Sequence, residues 1–313
     1  MSDQQIVELM PVQWRPTTIS VPVPPGVYSR YGITDTAITN AGTIQFVMNP
    51  TLGGGSMGGV RVQDIMVKDI VETNNWARPI YFAVTVASSN FIGLDNYLQM
   101  EGMALQIMPS KQRAPDGQYN INPVIMKQCL FNDPGQVYTG PHYGFRFTNL
   151  DKPGVYYDDN GRRLSLNYRN PFMRLAIYYL QQQDTAATIA TLDRMESKIP
   201  IEVVPMDYRI LSDVARIYLI AGARDRYARY SAIVEKDALA AIDRNPMDVR
   251  SAYNPYRILL DIYEEKGAYQ KEIGLLSKLQ DMFPGEKSIQ FKIQELQAMV
   301  KGRNTPEVDS LGK

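Results

Sequence analysis

Residues 261–284 read DIYEEKGAYQKEIGLLSKLQDMFP, and this stretch decides how the second half of the chain folds. Tyr263 is followed four residues later by Gly267, and Pro284 stands 17 residues beyond that glycine. Between them Tyr269, Ile273, Leu276, Leu279 and Phe283 recur at three- and four-residue intervals, which is the spacing of one helix face. The pattern predicts a helical hairpin. Glycine relaxes the tight turn, the second helix buries its stripe against the first, and proline stops that helix before the next begins.

Working outward, the same frame recurs less perfectly. Tyr179 is followed at four residues by Gln183, and Pro200 lies 17 residues further on, with Thr188, Leu192, Met195 and Ile199 as the stripe between. Tyr218 and Gly222 repeat the start without a matching proline, and the helix after them runs on to about Ile242. The intervals between the tyrosines are 39 and 45 residues, against a tetratricopeptide period of about 34. These are read as degenerate tetratricopeptide-like repeats with long helices, closed by a capping helix over Ser288 to Val300. An ordinary helical bundle is the plainer alternative.

The first half has a different texture. Pro11, Pro16, Pro22, Pro24 and Pro25 fix extended backbone, with Thr18 to Val21 as an edge strand, and the glycines at 53–55 and 58–59 read as a flexible connector. Val62, Ile65, Met66, Asp69 and Ile70 then predict a helix, ended by Asn74-Asn75. Arg78 to Val86 reads as a buried strand, Asn90 to Gln99 as a short helix, and Met103 to Met108 as a second strand. That order predicts an α/β layer whose strands are joined by a crossover. Turn signals dominate residues 110–163. The fold class expected is an α/β N-terminal domain plus an all-α tetratricopeptide-like helical-repeat C-terminal domain. The boundaries are an irregular Pro/Gly-rich lead-in over 1–60, an α/β domain with a turn-rich rim over 61–163, the helical array over 164–303 and a disordered tail over 304–313.

Composition narrows the function. Lys plus Arg and Asp plus Glu are 33 each, which argues against nucleic acid and against a polybasic membrane-surface binder. No stretch approaches the length of a membrane helix, and the first 20 residues show no export signal. The single cysteine, Cys129, reads as a small buried residue, and the single histidine, His142, as an exposed loop residue. No metal and no cofactor are expected. The chain has no Gly-x-Ser-x-Gly, His-Glu-x-x-His or Cys-x-x-Cys motif, and the glycine-rich stretch lacks the lysine of a phosphate loop. No catalytic residue is assigned. Asp64 and Asp69 read as solvated or capping groups.

The most distinctive stretch is Asn74-Asn75-Trp76-Ala77-Arg78-Pro79-Ile80-Tyr81-Phe82. Trp76 and Arg78 form either a stacked cation–π pair or a packing anchor at the helix-to-strand turn, the anchor being the better reading. Candidate binding residues are Trp76, Arg78, Tyr81, Asp95 and Glu101.

These residues, with Val62 to Ile70, Leu94 to Gly102 and Pro109, resemble the soluble C-terminal region of a bacterial family of multi-pass membrane proteins related to protein O-mannosyltransferases and common in Bacteroidetes. Asp193 to Pro200 and Val203 to Tyr218 resemble the helical repeats that end those proteins. The likeness covers about residues 60–300. In that family the sugar-transfer chemistry belongs to the membrane-embedded part, so no catalytic residue carries over. The resemblance implies an extracytoplasmic, periplasmic location. It also implies a non-catalytic accessory domain that binds protein, either an acceptor polypeptide or the family's own membrane module, without inserting into the membrane itself. The alternatives are a glycosyltransferase-related enzyme acting on sugar and a free-standing tetratricopeptide scaffold.

Overall fold

A computed structural model describes residues 13–53, 58–112, 119–133 and 143–303. His142, the glycines at 54–55 and the tail at 304–313 lie outside the described residues. The chain divides into two compact units, one of residues 1–178 with 193–204 and the other of residues 179–192 with 205–313. The N-terminal region contains sheets and the C-terminal region is helical.

Along the N-terminal region run β1 (Gln13–Trp14), β2 (Thr17–Pro22), α1 (Pro25–Arg30), α2 (Thr36–Thr39), β3 (Thr43–Met48), β4 (Gly58–Gly59) and α3 (Val62–Thr73). Then come β5 (Tyr81–Ala83), β6 (Leu98–Glu101), β7 (Ala104–Ile107), β8 (Asn120–Ile121), α4 (Pro123–Phe131) and α5 (Asp159–Leu166). The stretch expected to be an irregular lead-in therefore carries strands. β2 and β3 pair antiparallel from Thr17↔Met48 to Pro22↔Thr43. Period-two alternation puts Ile19, Val21, Ile44, Phe46 and Met48 in the core.

Helix α3 forms where its periodicity places it, but it buries another face. Asp64 and Val71 are buried, while Val62, Met66 and Ile70 are about half exposed. The cause is Asp64. Its carboxylate takes Arg61 Nε and Nη2 at 2.9 Å each, the Arg61 backbone N–H at 3.2 Å and Thr51 Oγ1 at 2.5 Å. This closes the helix start, as a capping box does, and turns the acidic side inward. Desolvation pushes the Asp64 carboxyl up, but the bonds from Arg61 and Thr51 outweigh it and hold it below the usual range.

The expected crossover is absent, because β5–β7 and β6–β7 are antiparallel and only β6–β8 is parallel, in the order β5-β7-β6-β8. Gly102 and Met103 alone join β6 to β7, with Gly102 at φ +63°, and a two-residue loop makes a hairpin. The predicted helix over 90–99 shrinks to 3-10 turns at Ser88–Asn90 and Leu94–Tyr97, and β6 takes over at Leu98. Gly93 sets that entry. Its φ is +94°, and a Cβ there would stand 2.2 Å from Val47 O. β5 is shorter than the predicted strand, since Val86 N–H already folds back to Ala83 O at 3.0 Å.

The later helices are α6 (Arg169–Gln181), α7 (Thr185–Lys198), α8 (Tyr208–Ile220), α9 (Arg224–Arg244), α10 (Pro255–Lys266), α11 (Tyr269–Met282) and α12 (Lys287–Arg303). The stripe Thr188, Leu192, Met195 and Ile199 is fully buried. Gln183, Gly222 and Gly267, the turn positions of the repeating frame, share a left-handed backbone at φ +61°, +85° and +60°. At each, the next residue's N–H reaches the frame tyrosine. Asp184 bonds Tyr179 O at 2.9 Å, Ala223 bonds Tyr218 O at 2.9 Å and Ala268 bonds Tyr263 O at 2.8 Å. The turn residue's own N–H bonds the carbonyl three before it at 3.0 Å each time, which completes a Schellman motif in all three places.

Candidate functional site

In the N-terminal unit the four-stranded sheet has two unlike faces, because residues two apart on a strand share a side. Phe82, Leu105, Ile107, Leu98 and Met100 are buried on one side. Register aligns Tyr81, Gln106, Gln99 and Asn120 in a row on the other, with Glu101 opposite Ala104 one step along.

Hydrogen bonds knit this polar face together. Tyr81 OH donates to Glu101 Oε2 at 2.9 Å, and Asn122 Nδ2 donates to Glu101 Oε1 at 2.8 Å. Gln106 Nε2 donates to Tyr31 OH at 3.2 Å, and Gln99 Nε2 to Gln112 Oε1 at 3.2 Å. Asn122 also caps α4, its Oδ1 accepting from Ile125 N–H. Glu101 is only 8 % exposed, and both its oxygens are engaged. Burial, then the bond to Glu101 and its charge, hold the Tyr81 hydroxyl far above its ordinary value. Burial and the same carboxylate push the Cys129 thiol up to about 11, so it stays protonated at neutral pH.

Among the five predicted site residues, the structure joins Tyr81 and Glu101 directly. Trp76 is an anchor. Its Nε1 donates to Pro22 O at 2.8 Å, its ring meets the Tyr31 ring edge-on at 6.3 Å, and Arg30 Nη1 donates to its carbonyl at 2.8 Å. Its aromatic partner is Tyr31, not Arg78. Arg78 is exposed and shares with Trp76, Tyr31 and Asn74 the lining of a cavity of ≈ 10 Å³, room for about one water. Asp95 is half-buried on the 3-10 turn Leu94–Tyr97, with no hydrogen bond to the other four.

The helical unit contains a larger feature. A groove of ≈ 660 Å³ is lined by Ser212, Asp213, Arg216 and Leu219 of α8, Tyr227 of α9, and Arg257, Asp261, Ile262, Glu264 and Glu265 of α10. Tyr253, 54 % exposed, stands at its edge. Burial pushes the Asp213 carboxyl up, against a smaller pull from Arg216. The Tyr227 hydroxyl is pushed up by burial and by the charges of Glu265 and Asp261. Neither Asp213 nor Asp261 has a hydrogen bond or ion pair among the described residues. Sequence reasoning missed these residues. Their signal was the i, i+3, i+4 spacing of polar groups on two helices that start successive hairpins, at 212, 213, 216 and at 257, 261, 264, 265.

Among the described residues no helix is long and apolar enough to cross a membrane, and no group of three or more His, Cys, Asp or Glu is placed to hold a metal ion. Residues 17–124 match a family model described as TMEM260-associated domain 2. That span contains the Trp76-to-Phe82 motif and the whole four-stranded sheet. No curated protein and no solved structure matches the chain.

Proposed function

We propose that this chain is a non-catalytic accessory module of a membrane glycosyltransferase-like protein, and that its helical unit binds protein. The observation that carries the reading is the groove between α8 and α10. Its volume lies within the range of ligand sites, about 300–1,000 Å³, and its lining mixes aliphatic, aromatic and charged groups. Three Schellman turns in one frame support a tetratricopeptide-like array, whose successive first helices line a shared concave surface. The match over 17–124 supports the association with a membrane parent and, with it, an extracytoplasmic location. The partner is an acceptor polypeptide or the parent's membrane part.

The enzyme alternative has one observation in its favour, the buried Glu101 on the polar sheet face. Its two oxygens already accept from Tyr81 and Asn122, which suits a structural acceptor better than a proton-transfer group. The test incubates the purified chain with a polyprenyl-phosphate sugar and candidate acceptor peptides, and follows mass. Peptide binding without mass gain is expected. Mass gain that survives repurification and vanishes in Glu101→Gln would overturn the accessory reading.

A further inference from the structure

We infer that the occupant of the α8–α10 groove is an extended, arginine-bearing segment of a partner polypeptide. This rests on the groove reading above and adds the partner's charge.

The argument is charge complementarity. Four carboxylates line the groove, Asp213, Asp261, Glu264 and Glu265, against two guanidinium groups, Arg216 and Arg257. Two of the four are answered from outside the lining. Glu265 lies 4.0 Å from Arg224, and Glu264 lies 3.9 Å from Lys292. Asp213 and Asp261 are not. Asp213 is half-buried, the exposed Arg216 offsets its charge only in part, and desolvation already opposes that charge. A cation arriving beside it replaces lost hydration with a charge-assisted bond.

The aromatic groups choose among cations. Tyr227 lines the groove within electrostatic reach of Glu265 and Asp261, and Tyr253, 54 % exposed, lines it too. A guanidinium offers donors in a planar fork for carboxylates and stacks on an aromatic face, whereas an ammonium is a compact and strongly hydrated point charge. The groove's length along two helices suits side chains spaced along an extended backbone rather than a single compact ion.

The experiment measures fluorescence anisotropy of the full chain with three labelled nine-residue peptides, in which glycine alternates with arginine, with glutamate or with serine. The arginine peptide is expected to bind and the glutamate peptide not to. The double variant Asp213→Asn/Asp261→Asn should weaken binding by about tenfold or more. A control with exposed acids removed elsewhere, Asp281→Asn/Glu286→Gln, should leave it unchanged. Arg216→Glu should tighten binding, a gain that misfolding cannot imitate. Equal losses in the test and control variants would mean diffuse attraction and would overturn the inference. If the serine peptide binds as well as the arginine peptide, and Ser212→Trp abolishes both, the groove still binds polypeptide and only the arginine preference falls. If none of the three binds, the inference and the groove reading fall together.

Discussion

Asn75 and Trp76 both hold a left-handed backbone, at φ +44° and +58°, which side-chain-bearing residues seldom adopt. The surroundings that impose it are on view: Pro22 O takes the indole N–H, Arg30 grips the carbonyl, and Tyr31 meets the ring. The tryptophan could be singled out from its position before a predicted strand, but its true partners could not. They lie 54 and 46 residues earlier in the chain, where nothing local marks them. Trp76→Ala removes the ring and its bond together and should cost about 3–5 kcal/mol. Urea denaturation checks this, and a cost under about 1 kcal/mol would deny Trp76 its anchoring role. Asp64 shows the same limit. Its capping role was one of the two readings open, but the burial that follows from Thr51 and Arg61 closing on it was not visible.

The elements divide by how local their causes are. The hairpin frame was legible because a Schellman turn is written in a few consecutive residues, so Tyr263 and Gly267 announce it directly. The sheet was not. Whether 98–101 becomes helix or strand depends on Gly93 passing close to Val47 and on pairing with β7, both non-local. The polar sheet face was half legible, since Tyr81 and Glu101 were named without the register that joins them. The turns themselves can be tested in opposite directions. Gly267→Val forces a β-branched residue into a left-handed position and should cost about 1–3 kcal/mol. Gln183→Gly relieves the same conformation and should stabilise by up to about 1 kcal/mol. Thermal melts of both variants check the pair, and a fall in melting temperature for Gln183→Gly would show that Gln183 stabilises its turn by another route.

For the molecule as a whole, alkaline pH is the informative stress. Tyr81, in one unit, is held far above its ordinary value by burial and Glu101. Tyr263, in the other, is pushed up to about 12 by burial and by Glu235, whose Oε1 accepts from its hydroxyl at 3.3 Å. Their folded values exceed the unfolded value near 10. The stability they contribute is therefore complete below about pH 10 and is lost as pH rises through the folded values. Denaturation midpoints should hold steady up to about pH 9.5 and fall by about pH 11.5. Tyr81→Phe and Tyr263→Phe should each flatten that fall in its own unit.

The two tryptophans hold a further use. Trp14 Nε1 donates to Met48 O at 3.0 Å and Trp76 Nε1 to Pro22 O, so both indoles are tied to the ends of the antiparallel β2–β3 pair, and the helical unit contains tyrosine but no tryptophan. Light emitted on excitation at the red edge of protein absorbance comes from the N-terminal unit alone. The chain thus has a built-in optical label on one of its halves, and peptide entering the groove should leave that emission dark to the event while tyrosine emission from the other half responds.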